Sequence, residues 1–127
     1  MQLRVLSDRL AVCRLPSDAQ WPTPPADRSF FAAVRTAEEI SVVCVPDSAP
    51  SHPELHIEPD WRALEVVGPL DFAMVGVLLS ITAPLSEVGV SVFVVSTFDT
   101  DYVLVRADSL EASVTALRAA GHEVAAA

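Results

Sequence analysis

The sequence predicts an α+β fold in which two helices cover one face of an antiparallel sheet. Three observations favour this fold. Hydrophobic residues make up 51% of the 127 positions, which is enough for a compact core. Apolar strand patterns alternate with two helical patterns after residue 60. Eight of the ten prolines lie at or before Pro59, so the first part of the chain is predicted to contain short strands and loops.

Three strands separated by proline-rich loops are predicted in the N-terminal part. Branched and aromatic residues favour strand structure, and they are concentrated in the runs Leu10–Leu15, Ser29–Arg35 and Ile40–Val45. Thr36 and Glu39 have the spacing of a capping box, which predicts one helical turn before the third strand.

The next segment is predicted to form a strand and then a helix. The strand covers Trp61–Val67 and ends at a Gly-Pro pair. Apolar residues recur at helical spacing within Phe72–Val88, and Asp71 stands where a carboxylate favours a helix start. Pro84 is expected to kink or break the last turns, and Gly89 to end the helix.

A hairpin and a second helix complete the pattern. The hairpin joins the apolar strands Val90–Ser96 and Tyr102–Arg106 through the turn Thr97–Asp101. The helix is predicted by the capping pair Asp108 and Glu111, by the apolar stripe Leu110, Val114 and Leu117, and by the terminal Gly121. A short strand, His122–Val124, is predicted to follow it. The order βαββαβ is that of a ferredoxin-like fold.

Charge and composition exclude several classes of function. The net charge is −9, the sequence contains no lysine, and its eight arginines are scattered. No basic surface for nucleic acid or for an anionic membrane is therefore predicted. No apolar run reaches the roughly 18 residues of a membrane span, and the N-terminus lacks a signal-peptide pattern, so we expect a cytoplasmic protein.

Cysteine and histidine placement predicts neither a metal site nor a cofactor. Cys13 and Cys44 lie in apolar runs and are expected to be buried as small hydrophobic residues, although a disulfide stays open if their strands are neighbours. The histidines lie far from both cysteines in sequence. Asp99 and Asp101 have no accompanying nucleophile, histidine or third ligand, which disfavours an acid–base or metal role.

Four segments carry a family resemblance. They are RTAEEISVVC (35–44), WRALEVVGPLDFAMVGVL (61–78), VSVFVVSTFDTDYVLV (90–105) and LRAAGHEV (117–124), with GPLDF and STFDTDY the most specific parts. Together they resemble the bacterial ACT domains related to the CASTOR arginine sensors. The resemblance implies a ferredoxin-like fold and an amino-acid-binding regulatory role. It also implies a reduced, β-rich ACT-like lobe over residues 1–60 and a complete ACT domain over 61–127. Residues 16–28 depart from the pattern, because a proline-rich loop stands where a full lobe has its first helix.

A candidate ligand site is predicted between the loop after the strand at Trp61 and the turn Thr97–Asp101, provided that the strand order brings them together. A bound amino acid needs acceptors for its ammonium, which Asp71, Asp99 or Asp101 could supply. It also needs donors for its carboxylate, which the amides at a helix start could supply.

The resemblance implies a site in the same region. It assigns contact with the ligand side chain to Asp101 and lining of the pocket to neighbouring residues. The complete predicted set is Gly68, Asp71, Phe72, Gly76, Thr97, Phe98 and Asp101. Ordinary structural roles stay open, because aspartate also caps helices and forms turns, and phenylalanine also fills cores.

The predicted function is that of a regulatory or sensor domain that binds an amino acid or a similar small metabolite, acting alone or as a homodimer. The alternative is a structural protein-association module without a small ligand. No enzymatic activity is predicted. Kinase chemistry in particular is disfavoured, since the chain has neither a phosphate-binding glycine-rich loop nor a lysine.

Overall fold

The computed structural model describes residues 1–71 and 73–126. Contacts divide the chain into two units. Residues 1–7 and those from Arg62 onward form the first, named here the two-helix unit, and Asp8–Trp61 forms the second, named the strand unit. Strand β5 (His56–Val66) contributes its first residues to the strand unit and its last residues to the two-helix unit.

The two-helix unit has the predicted βαββαβ order with one strand added. Its other elements are β1 (Gln2–Val5), α1 (Val77–Glu87), β6 (Val92–Ser96), β7 (Asp101–Arg106), α2 (Leu110–Ala119) and β8 (Glu123–Ala125). The strands lie in the order β6-β7-β5-β1-β8. The α+β, ferredoxin-like fold class is therefore confirmed.

Strand β1 is the element that the sequence analysis missed. It runs antiparallel to β5, with Leu3 opposite Val66, and parallel to β8, with Leu3 also opposite Val124. Leu3 and Val5 are buried while Gln2 and Arg4 are exposed. These ladders place residues 1–7 with the two-helix unit, although the sequence analysis assigned them to the N-terminal lobe.

Aliphatic side chains from every element of the two-helix unit form its core. The buried set comprises Leu3, Val5, Leu64, Val66, Ile81, Leu85, Val103, Val105, Leu117 and Val124. The predicted stripe of α2 is confirmed, because Leu117 is buried and Leu110 and Val114 pack against this cluster. Burying one such side chain stabilises a fold by about 1.5–3 kcal/mol, so the core dominates the stability of this unit.

Helix α1 begins later than predicted. Gly76 is its N-cap at φ 78°, and Val77 is its first residue. The Asp71 carboxylate instead accepts a hydrogen bond from the Ala73 amide at 2.8 Å, and the Met74 N–H donates to the Asp71 carbonyl oxygen at 3.0 Å. The prediction that Asp71 stands at the helix start is wrong, because these bonds form a local turn.

Pro84 does not break α1, so the break that the sequence predicts as an alternative to a kink is wrong. The helix continues through it to Glu87. Proline has no N–H, so the carbonyl oxygen of Ser80 four residues earlier loses its helical donor. The His122 imidazole supplies a replacement, since its Nε2 lies 2.8 Å from that oxygen. A carbonyl can only accept, so Nε2 carries the proton in this contact.

Both helices end as predicted at glycines with positive φ. Gly89 has φ 76° and Gly121 has φ 95°. At the end of α1, the Val90 N–H donates to the Leu85 carbonyl oxygen at 3.0 Å. The backbone after α2 turns in the same way, because the His122 N–H donates to the Leu117 carbonyl oxygen at 3.0 Å.

The strand unit contains the three predicted strands and part of β5. Strands β2 (Leu10–Pro16), β3 (Phe31–Arg35) and β4 (Glu39–Cys44) lie in the order β3-β4-β2-β5. The sequence predicts that strand β5 begins at Trp61, but it begins at His56. Its register against β2 shifts between Leu10 and Val12, and Asp60 has φ 63°, which is typical of a bulge.

The connection between β3 and β4 is a tight turn rather than the predicted helical turn. The Thr36 N–H donates to the Glu39 carbonyl oxygen at 2.9 Å. The Thr36 hydroxyl oxygen accepts from the amides of Glu38 and Glu39 at 3.1 and 3.2 Å. Thr36 thus bonds nearby amides, as its spacing from Glu39 suggested, but these bonds close a hairpin instead of starting a helical turn.

The two cysteines are buried, as predicted, and both are free thiols. Cys13 on β2 lies opposite Val42 of β4, and Cys44 lies opposite Ala11, so the cysteines are diagonal neighbours. The two thiols interact through a hydrogen bond. This contact lowers the pKa of Cys13, whereas the same contact together with burial raises the pKa of Cys44.

Two leucines of α1 test whether its inner face stabilises the fold. Leu85 is fully buried, whereas the Leu79 side chain is 68% exposed. We expect Leu85→Ala to lower the free energy of unfolding by about 2–5 kcal/mol, because it leaves a cavity. Leu79→Ala, the matched control, should change it by about 0.5 kcal/mol or less. Urea denaturation measures both, and equal losses would contradict the described orientation of the helix.

The contact between Ser80 and His122 predicts a coupling with Pro84. His122→Phe removes the donor and leaves a carbonyl unpaired, so unfolding should become easier by about 1–3 kcal/mol. In a Pro84→Ala background the new amide at residue 84 can reach Ser80, and the same substitution should cost clearly less. A double-mutant cycle by urea denaturation measures the difference. Additive effects would show that His122 does not replace the missing donor.

Candidate functional site

Two connections of the two-helix unit converge beside its sheet. One is the segment 68–76 between β5 and α1, and the other is the turn 97–100 between β6 and β7. The Leu70 N–H donates to the Asp99 carbonyl oxygen at 2.7 Å. A Cβ on Gly68 would lie 3.1 Å from that oxygen and 3.2 Å from the Thr100 Cβ. Glycine at residue 68 is thus what lets the two segments approach each other.

Two threonines fix the conformation of the turn 97–100. The Thr97 N–H donates to the Thr100 carbonyl oxygen at 2.8 Å, and the Thr97 hydroxyl oxygen accepts from the Thr100 amide at 3.2 Å. The Thr100 side chain is buried, and its hydroxyl donates to the Val66 carbonyl oxygen at 2.6 Å. This last bond ties the turn to the end of β5.

An open cleft of about 140 Å³ lies between the two segments. A single water needs roughly 10–15 Å³ on this measure, so the cleft has room for part of a small molecule. Its lining residues are Leu70, Asp71, Met74, Val77, Thr97, Phe98, Asp99, Thr100 and Asp101. Three of them are aspartates and none is basic. The cleft therefore favours cationic groups.

Four residues of the predicted set line this cleft, namely Asp71, Thr97, Phe98 and Asp101. Gly68 lies against the turn at its edge. Gly76 does not line it, because its backbone forms the N-cap of α1. Phe72 lies outside the described residues.

Four lining residues are not in the predicted set: Leu70, Met74, Val77 and Thr100. Asp99 is predicted as a possible acceptor for an ammonium group, but it is not in the predicted set. The turn letters STFDTD contain Thr100 between two predicted members, so its position was detectable from the sequence. The apolar lining residues Leu70, Met74 and Val77 were not detectable from the sequence, because their placement follows from the late start of α1.

The start of α1 also faces the cleft. Val77 lines it, and the N-cap Gly76 has no side chain to bond the first amides of the helix. The first N–H groups of a helix have no partner within the helix, so they are available to an acceptor. Donors at α1 thus lie near the carboxylates of the turn.

Residues 1–71 and 73–126 contain neither a metal-binding cluster nor a membrane-spanning helix. This part of the chain contains no group of three or more histidine, cysteine or acidic side chains that could hold a metal ion. None of its helices is long and apolar enough to cross a membrane.

Comparison with known proteins adds a family to this geometry. The sequence model described as an ACT domain matches residues 56–119. The chain belongs to the ACT domain family. A second model, described as an N-terminal domain, matches residues 8–52. No curated protein matches the sequence significantly.

Solved structures show the same fold over nearly the whole chain. A crystal structure of an Agobacterium tumefaciens protein is 34% identical and covers 99% of this chain and 92% of its own, with a TM-score of 0.88. A Vibrio cholerae protein of unknown function is 16% identical over 94% and 88% of the two chains, with a TM-score of 0.67. The ligand-free regulatory subunit of aspartate kinase from Thermus thermophilus is 15% identical over 94% and 96%, with a TM-score of 0.65.

Thr100→Val tests how strongly the turn depends on its buried hydroxyl. The change keeps the volume but leaves the Val66 carbonyl without this donor, so the free energy of unfolding should fall by about 1–3 kcal/mol. Thr115→Val on the exposed side of α2 is the control, with an expected change of about 0.5 kcal/mol or less. Thermal and urea unfolding measure both. Equal effects would contradict a structural role for the Thr100 hydroxyl.

Proposed function

We propose that this ACT domain protein is a regulatory sensor, not an enzyme, and that it binds an amino acid in the cleft that segment 68–76 forms with the turn 97–100 and Asp101 of β7. The observation that carries the proposal is the convergence of these two segments, joined by the bond between Leu70 and Asp99. Similarity to regulatory parts of aspartate kinases supports a regulatory role. The strand unit is proposed to be a reduced ACT-like lobe, and the protein to act in the cytoplasm.

The charges of the cleft favour a cationic amino acid. Asp71, Asp99 and Asp101 supply carboxylates around a small space, and no lining residue offsets them. An α-ammonium and a side-chain guanidinium or ammonium would each find an acceptor there. The segments that resemble the arginine-sensing CASTOR branch support the same class of ligand.

The two ends of such a ligand fit different parts of the cleft. Its α-carboxylate would accept hydrogen bonds from the first amides of α1, beginning at Val77. Its alkyl stem or cationic head would pack against Phe98, whose ring lines the cleft and is 80% exposed. Asp101 would then bond the cationic head.

The exposed apolar residues near the cleft favour a homodimer. Val75 is 93% exposed, and Met74, Leu79 and Phe98 are exposed as well. A second copy covering them would remove apolar surface from water and enclose the open cleft. These same residues also favour the second candidate function, a protein-association module that binds no small ligand.

Thermal unfolding of the full chain with each of the twenty amino acids tests the proposal. A ligand that binds only the folded state raises the melting temperature, and at one hundred times its Kd it adds about 2.7 kcal/mol of stability. We expect arginine or lysine at about 10 mM to give the largest rise.

Asp101→Asn provides the residue test. It should weaken binding of the active amino acid about tenfold or more, because a charge-assisted hydrogen bond is lost. Asp8→Asn removes the same charge from an exposed position outside the cleft and should leave binding unchanged. A flat response to all twenty amino acids would contradict the sensor proposal. Concentration-dependent dimerisation in that case would support the association module.

A further inference from the structure

A second cavity of the two-helix unit lies beside α2, away from the cleft. Its volume is about 670 Å³, which is within the range of small-molecule sites. Residues of α2 form one wall. The lining also includes Arg62 of β5 and residues near the ends of β1 and β8. It shares no lining residue with the cleft. We name it the α2 groove.

Two arginines of the α2 groove are oriented by backbone carbonyls instead of carboxylates. Arg62 donates to the Leu6 carbonyl oxygen at 3.0 Å, and Arg118 donates to the Val124 carbonyl oxygen at 2.7 Å. Neither forms an ion pair within residues 1–71 and 73–126, whereas Arg4 pairs with Glu65. Both guanidinium groups therefore keep donors for another acceptor.

The Nε atom of Arg62 is a further unpaired donor beside the groove. It is buried and has no hydrogen-bond partner among the described residues. Burying a donor without an acceptor costs about 1–3 kcal/mol, and such atoms are rare in folded proteins. Because this atom has almost no accessible surface, an anion in the groove would bond the terminal nitrogens of Arg62 rather than Nε.

The remainder of the groove is largely apolar. Val5, Val114 and Val124 line it, and Glu111 is its one acidic residue. With two arginines the groove has a formal charge of +1 in a chain whose net charge is −9. An inorganic anion would use only the arginines, whereas a ligand with an apolar body would also cover the valines.

We propose that the α2 groove binds a small organic carboxylate with an apolar body. The carboxylate accepts hydrogen bonds from Arg62 and Arg118, and the apolar body packs on Val5, Val114 and Val124. This site is separate from the amino-acid cleft and does not depend on it.

Titration of the ¹⁵N-labelled full chain with hexanoate, followed by amide chemical shifts, tests the proposal. Acetate and 1-hexanol are the matched probes, because one lacks the apolar body and the other lacks the charge. We expect hexanoate to bind at least about tenfold more tightly than either probe, since only it uses both parts of the groove. The largest shifts should fall on the amides of Val114, Thr115 and Val124.

Variants separate specific binding from a general charge effect. Arg62→Gln and Arg118→Gln should each weaken hexanoate binding about tenfold. Arg9→Gln removes the same charge at an exposed residue outside the groove and should have no effect. Thr115→Tyr blocks the groove from an exposed helical position and should also abolish binding, which keeps the test valid if Arg62→Gln fails to fold.

Three results would overturn the proposal: no hexanoate binding at millimolar concentration, equal binding of 1-hexanol, or unchanged binding by both Arg118→Gln and Thr115→Tyr. Asp101→Asn should leave hexanoate binding unchanged, because that residue lies in the cleft. Failure of amino-acid binding at the cleft and failure of carboxylate binding at the α2 groove are therefore distinguishable.

Discussion

The hydrogen bond from the Thr100 hydroxyl to the Val66 carbonyl oxygen is the contact on which the candidate site depends. It is buried and 2.6 Å long, and it fixes the turn 97–100 to the end of strand β5. Segment 68–76, which forms the other side of the cleft, follows this strand. The bond from Leu70 to Asp99 then aligns the two segments, and Gly68 leaves the room for it. Three aspartates are thereby placed around one space. Without this convergence, each would only form the local hydrogen bonds that are common for aspartate near turns.

A second long-range contact shapes the helix that begins at the cleft. Pro84 deprives Ser80 of its helical donor, and His122 replaces that donor from a position 42 residues away. Helix α1 can thus continue to Glu87 and keep Ile81 and Leu85 in the core. The charge pattern of the same unit is uneven, with carboxylates around the cleft and, in the α2 groove, two guanidinium groups that form no ion pair within residues 1–71 and 73–126. Its two cavities accordingly favour ligand groups of opposite charge.

The elements with a strong local signal were predictable from sequence. The hairpin of β6 and β7, the stripe of α2 and the glycines that end both helices follow from spacing and backbone preference. Strand β1 was missed because four residues with two polar side chains give a weak signal, although the alternation of Leu3 and Val5 is visible afterwards. The start of α1 was misplaced because Asp71 bonds its own local amides, and the continuation through Pro84 depends on a residue distant in sequence. The convergence at the cleft depends on strand order, which no local pattern specifies.

We propose that the turn 97–100, with Asp101, and the segment 68–76 form one ligand site. The most direct measurement is a map of amide chemical shifts on the ¹⁵N-labelled full chain during titration with arginine. The account predicts that the saturating changes are concentrated in residues 70–77 and 97–101, with the α2 groove unaffected. Saturating changes confined to other residues, or no changes at all, would contradict it.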